Sequence, residues 1–264
     1  MKKLLGFSIF LVFVLIASLT AEAKVTLPAI FSDNMVLQQN TQVNVWGKAA
    51  PGEKVTVKAS WLDKAVTAKA AANGKWTVKL KTPKATTNQS VTVSGENEIT
   101  INNILIGEVW LCTGQSNMEF PVSRHPDVKW NTGMLNEAEE LKDADYPEIR
   151  LFHVKHQLAH EGELDDCEGE WLVCNPKNLY DFSAVGFVFG RKLYKELKMP
   201  VGLIQSTWGG THAESWTKLD VMKKNPLYAD VLKDFALEGV KQQKNYCKVP
   251  ATLWNGMILS LIHI

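Results

Sequence analysis

Thr113-Gly114-Gln115-Ser116-Asn117-Met118 follows Glu108 to Cys112 (Glu-Val-Trp-Leu-Cys), a run that reads as a buried strand. A serine held in a tight turn between a strand and a helix presents its hydroxyl at the sheet edge, where it can attack a carbonyl. Its own amide would lie near a helix N-terminus, where developing negative charge is favoured. The same position suits a helix N-cap, whose serine accepts a backbone hydrogen bond and does no chemistry. Local pattern leaves the two readings level, since Gly-x-Ser-x-Met matches half of the hydrolase elbow.

A second loop, Ser206-Thr207-Trp208-Gly209-Gly210-Thr211, follows the apolar run Val201 to Gln205. Paired glycines let a backbone approach a ligand closely and aim amide N–H groups into a site. They also make plain turns. In open α/β sheets, ligands bind outside the carboxyl ends of the strands. Two such loops in one sheet would set a serine nucleophile opposite an oxyanion hole.

A serine nucleophile needs a general base, normally a histidine oriented by a carboxylate. The histidines are His125, His153, His156, His160, His212 and His263, and none has an aspartate three residues before it. His212, directly after Gly-Gly-Thr, is the best placed internal stand-in, against the reading of a solvent-exposed loop histidine. His153, His156 and His160 could suggest a metal, but His153 and His156 fall in or beside an apparent strand (Ile149 to His153). There a spacing of three points side chains to opposite faces. No metal and no cofactor are expected. Cys112 beside the nucleophile turn could suggest a thiol mechanism, but a strand-end cysteine is usually a buried small hydrophobe. Cys167 and Cys174 could pair in an exported protein or stay free in the core.

The elements that must position these residues fall into two halves. The chain has 264 residues, 45% hydrophobic and 22% charged, with 29 basic and 28 acidic side chains, which is ordinary globular composition. The charge balance argues against a nucleic-acid partner. Residues 1–23 read as a secretory signal: Met1-Lys2-Lys3, an apolar stretch from Leu4 to Leu19, then Ala21-Glu22-Ala23 as a small-x-small cleavage site. Export to a bacterial periplasm or beyond is therefore expected, with no membrane span after cleavage.

From about Val25 to Ile106 the pattern is strand-like. Val43 and Val45, then Val55, Val57, Ala59 and Trp61, alternate apolar with polar. Asn73-Gly74 signals a hairpin between Val66-Ala68-Ala70 and Trp76-Val78-Leu80. Short, regularly spaced strands predict an antiparallel β-sandwich over 24–104. After Gly107 strands alternate with helices, predicting an α/β layer with a mostly parallel sheet over 105–264. A helix is expected over 182–198, with Val185, Val188, Phe189, Leu193 and Leu197 as its buried stripe. A second is expected over 226–238. The boundary lies near 103–107.

Residues 107–119, Gly-Glu-Val-Trp-Leu-Cys-Thr-Gly-Gln-Ser-Asn-Met-Glu, resemble the nucleophile block of the sialate O-acetylesterases, within the broader SGNH (GDSL-like) hydrolases. Phe182 to Gly186, Gly190 to Leu193, Pro200 to Ile204, Trp208 to Thr211 with Glu214 and Trp216, and Leu253 to Ile258 also resemble that family, in order. So do Gly47 to Trp61 and Gly74-Lys75-Trp76. The resemblance implies removal of acetyl groups from sugar hydroxyls, with O-acetylated sialic acid as the namesake substrate. It implies an SGNH-type α/β/α domain with Ser116 as nucleophile and Gly209 or Gly210 in the oxyanion loop. Gln115, Asn117, Trp208 and Thr211 would contact substrate, and Trp216 could flank the sugar. Around Trp171 to Cys174 it favours a free packing cysteine as much as a disulfide.

The family carries its base in an Asp-x-x-His motif near the carboxyl end, and a Trp-x-Gln-Gly-Glu block soon after Asn-Gly-Met-Ile. This sequence contains neither. The expectation is a C-terminally truncated chain with an incomplete SGNH domain, weakly active or inactive. Acetylxylan or another acetylated glycan is the neighbouring substrate reading. A non-catalytic glycan-binding protein is the rival from another class.

Overall fold

The computed structural model describes residues 24–127, 133–238, 249–258 and 261. The expected signal segment, Cys247 and His263 lie outside the described residues. The chain begins with β1 (Val36–Gln38), β2 (Gln42–Lys48), β3 (Lys54–Ala59), β4 (Val66–Lys69), β5 (Lys75–Lys81) and β6 (Thr86–Ser94). Next come β7 (Glu98–Gly114), α1 (Ser116–Glu119), α2 (Glu137–Lys142), β8 (Tyr146–His153), β9 (Trp171–Cys174), α3 (Pro176–Leu179), α4 (Ala184–Leu197) and β10 (Val201–Thr207). After β10 follow a 3₁₀ turn at Ala213–Trp216, α5 (Leu219–Lys223), a second 3₁₀ turn at Pro226–Tyr228, α6 (Ala229–Glu238) and a π-helical turn at Trp254–Ile258. Among the described residues no helix is long and apolar enough to cross a membrane.

The fold is mixed α/β, dominated by one sheet ordered β4-β3-β6-β7-β10-β8-β9, with β1 also pairing β7 and a separate β2-β5 ladder. The strand periodicity marks real faces. Val43 and Val45 of β2, Trp76, Val78 and Leu80 of β5, Val55 and Val57 of β3, and Val91 and Val93 of β6 share one buried cluster. Phe152, Trp171, Ile204 and Met257 belong to that same cluster, so the amino-terminal strands and the later α/β layer are packed together.

The pairing around Asn73-Gly74 differs from the expected hairpin. A turn forms, with the Gly74 amide donating to Ala71 O at 2.9 Å, but β4 pairs antiparallel with β3, and β5 with β2. A two-residue hairpin of the expected kind needs positive φ at both central positions. Here Gly74 has φ +76° and Asn73 is not among the positive-φ residues, so the turn is not the two-residue type; the Ala71 amide still donates across it to Lys75 O at 2.9 Å, and the two ladders diverge beyond that bond.

β7 is 17 residues long and serves both regions. Its first part pairs antiparallel with β6 through Ile106, and its last part pairs parallel with β10 from Glu108 to Gly114. Gly107 stands at the changeover. A Cβ there would meet the Pro200 carbonyl oxygen at 2.0 Å, so glycine is what lets the two backbones approach. β10 in turn pairs parallel with β8, giving the expected parallel run, while β9 closes that edge antiparallel to β8.

α4 forms where expected. Ser183 caps it, accepting from the Gly186 amide at 3.0 Å, and Lys198 ends it with φ 51°. Its buried face is not the expected stripe, however. Val185, Val188, Phe189 and Leu197 are exposed, whereas Ala184, Gly186, Phe187 and Gly190 are buried. Small residues let the helix sit close on the sheet: a Cβ on Gly190 would lie 2.4 Å from Leu203 Cδ1. Val185, Val188, Phe189 and Leu197 turn outward, while Phe187 stays in the core and Leu193 packs partly against it; outside, Phe189 meets Trp110 of β7 edge to face, with centroids 5.0 Å apart.

Candidate active site

The carboxyl ends of β7, β10 and β8 lie side by side, because Gln205 is in register with both Cys112 and His153. Gly114, at φ +148°, turns the chain out of β7 in a conformation that favours glycine. Ser116 then opens α1 and is exposed. The helix N-cap is Gln115, not Ser116, and among the described residues the Ser116 hydroxyl makes no hydrogen bond. α1 has four residues, too few for a substantial dipole, so any charge stabilisation at Ser116 comes from individual amides.

The two loops meet. The Trp208 amide donates to Gly114 O at 3.1 Å, and Gln115 Nε2 donates to Thr211 O at 2.9 Å. Thr211 is buried, with its hydroxyl donating to Trp208 O at 2.7 Å and accepting from Trp216 Nε1 at 2.8 Å. Gln115 and Thr211 therefore hold the loops together. Asn117 is exposed on α1, and Gly210 is exposed with φ +72°.

Gly209 packs against the Ser116 turn: a Cβ there would lie 3.5 Å from Ser116 Cβ and 2.7 Å from Glu119 Oε2. Its amide donates to Glu119 Oε2 at 2.5 Å. Gly209 is thus occupied by an internal carboxylate, and of the paired glycines Gly210 is the exposed one.

Glu119 carries a second bond that the sequence did not suggest. His156 Nε2 lies 2.8 Å from Glu119 Oε1 and 3.0 Å from Thr207 O. Both partners are acceptors, so Nε2 holds the proton. The His156 ring also stacks on Trp208, with centroids 4.0 Å apart and planes within 5°. Burial alone would raise the Glu119 pKa, but the bonds from His156 and the Gly209 amide outweigh it and hold the carboxyl below its ordinary value.

Among the described residues, His156 rather than His212 bonds to the turn that carries Ser116; His212 is exposed beside the 3₁₀ turn at Ala213–Trp216. His153 ends β8 and His156 lies beyond it, so strand alternation no longer separates them. Both line one cavity. Burial, with the nearby charge of His156, pushes the His153 pKa down. No group of three or more His, Cys, Asp or Glu is gathered as a metal site among the described residues.

Cys112 is buried, and desolvation pushes its thiol up to about 11. Cys167 and Cys174 are both buried and sit in different core clusters, so they do not pair with each other.

This fold is that of a carbohydrate esterase. It superposes on a carbohydrate acetylesterase from Xanthomonas citri with a TM-score of 0.73 at 30% identity, covering 90% of this chain and 48% of that one. Residues 106–256 match the family described as carbohydrate esterase, sialic acid-specific acetylesterase, and the chain belongs to that family. The sialate O-acetylesterase of Mus musculus is 32% identical over 215 residues, 74% of this chain and 38% of that protein. The Homo sapiens sialate O-acetylesterase is 31% identical over 205 residues, 70% of this chain and 37% of that protein. The chain thus spans well under half the length of these curated relatives.

Proposed function

We propose that this chain carries the nucleophile of an acetylesterase acting on O-acetylated sugars. The observation that supports it most is the exposed Ser116, with its hydroxyl unengaged among the described residues and the Gly209 backbone packed beside it. Ser116 Oγ attacks the acetyl carbonyl and its proton passes to a base. The sugar oxygen leaves with a proton, and water then cleaves acetyl-serine to acetate. The Ser116 and Gly210 amides are the oxyanion donors in this reading, since Gly209 donates to Glu119.

O-acetylated sialic acid is the substrate the curated relatives' name points to. A different acetylated glycan, acetylxylan included, is the second reading, favoured by the Xanthomonas citri relative, which is called simply a carbohydrate acetylesterase. In this proposal residues 1–23 direct export to the periplasm or beyond. Residues 24–104 form a β-sandwich and residues 105–264 an SGNH-type α/β/α unit.

The test is labelling of the chain from Lys24 onward with a fluorophosphonate, read by peptide mass, beside p-nitrophenyl acetate hydrolysis. Adduct on Ser116, and a slow hydrolysis lost in Ser116→Ala, are expected. Equal hydrolysis by the two proteins with no adduct would leave only a glycan-binding role.

A further inference from the structure

Beside the nucleophile turn lies a cavity of about 720 Å³, within the ~300–1,000 Å³ of small-molecule sites. It opens where β8 ends: His153 closes that strand, two strands across from β7. With strands ~4.8 Å apart, its mouth lies roughly 10 Å from the row that leads to Ser116. His156 belongs to both places, since it lines the cavity and bonds Glu119 in the turn that carries Ser116. Leu151, Leu172 and Phe182 give an apolar floor. Polar groups surround it: His153, His156, Lys177, Asn178, Asp181 and Glu170. None of this belongs to the two loops that the sequence singled out.

The chemistry of the wall selects among sugars. Among the described residues no arginine lines the cavity, so the bidentate fork that best grips a carboxylate is absent from that lining. Lys155 is paired with Glu168 at 3.3 Å, and Asp181 with His125 at 2.6 Å. Of the lining charges outside these pairs, Glu170 and Lys177 balance each other, so an entering carboxylate meets no net positive wall. A neutral hydroxyl both donates and accepts, and a wall of imidazole, amide, carboxylate and ammonium groups answers it from either side.

We infer that this cavity is a sugar subsite that takes a neutral, hydroxyl-rich pyranose in preference to a carboxylate-bearing one. The inference rests on the esterase reading of Ser116 and narrows its substrate to acetylated neutral glycans, the bound ring lying toward β8 while the ester reaches Ser116.

The test is made on the Ser116→Ala chain, so that no turnover is needed. Histidine-ring ¹H–¹⁵N resonances are followed by NMR during titration with xylobiose, cellobiose or N-acetylneuraminic acid, with His212 as an internal reference. Saturable shifts of His153 and His156 with at least one neutral disaccharide are expected, with N-acetylneuraminic acid at least tenfold weaker. Unmoved His153 and His156 with both disaccharides, or sialic acid binding as tightly as they do, overturns the inference. Loss of Ser116 labelling in the parent chain would sink the esterase reading instead, and the two failures are read separately.

Discussion

His156 and Glu119, 37 residues apart in sequence, meet through a 2.8 Å hydrogen bond that fastens the segment after β8 to the turn that presents Ser116. Because Glu119 also accepts from the Gly209 amide, one carboxylate joins three loops at the carboxyl end of the sheet. Its position three residues after Ser116 makes it a positioning residue for the turn that presents that serine.

Replacing Glu119 tests that role. Hydrogen bonds to a charged group contribute about 1.5–3 kcal/mol, and neutral ones about 0.5–1.5. Glu119→Gln is expected to lower unfolding stability by about 1 kcal/mol, and Glu119→Ala by about 2–3 kcal/mol. Urea titrations of the three proteins measure this. Stabilities equal to the parent would show that the carboxylate holds nothing.

The same pair gives a pH dependence with a definite sign. The folded-state pKa of Glu119 is held below its ordinary value of 4.5, so its contribution is present above that value and lost as pH falls through the folded pKa. The stability gap between the parent and Glu119→Gln is therefore expected to be constant near neutrality and to narrow below pH 4.5. A gap that widens on acidification would reverse the assignment.

Cysteine chemistry is expected to be silent in the folded protein. Burial pushes Cys112 up to about 11 and Cys174 up to about 12. At pH 8 the thiolate of Cys112 is then only about one molecule in a thousand. Iodoacetamide followed by peptide mapping should leave both residues unmodified until guanidinium is added. Rapid native alkylation of Cys112 would revive a thiol role.

The packing of α4 makes a paired prediction. Gly190→Ala forces a methyl group onto Leu203 and is expected to destabilise by about 1–3 kcal/mol. Val185→Ser, on the outward face, should fall within about 0.5 kcal/mol of the parent. Thermal melts of the two variants decide which face is packed, and the opposite ranking would restore the stripe that periodicity suggested.

Much of the frame was legible because its signals are local. Alternation at Val43-Val45 and Val55-Val57, the Gly114-Gln115-Ser116 turn and the Ser183 cap are each decided within a few residues. The outward turn of Phe189 was not, since hydrophobicity ranks phenylalanine above Gly186 and Gly190. Close helix–sheet approach rewards small side chains instead, and glycines four apart were the available signal. The turn at Asn73-Gly74 was legible, but the pairing of β5 with the distant β2 was not, since only the assembled sheets select it. His156 was missed because no spacing rule links it to Glu119; only the adjacency of β7, β10 and β8 brings them together.

The continuity of β7 has a mechanical consequence. Its seventeen residues make one bent beam, clamped by β6 near one end and by β10 near the other, with Asn103 at φ +54° breaking the extended run. A tug or twist at Glu98 reaches Gly114, two residues short of Ser116, by way of the bend at Asn103. Severing the chain at residue 104 would cut that beam inside its span, leaving β6 with a shortened partner and the serine turn anchored at one end only.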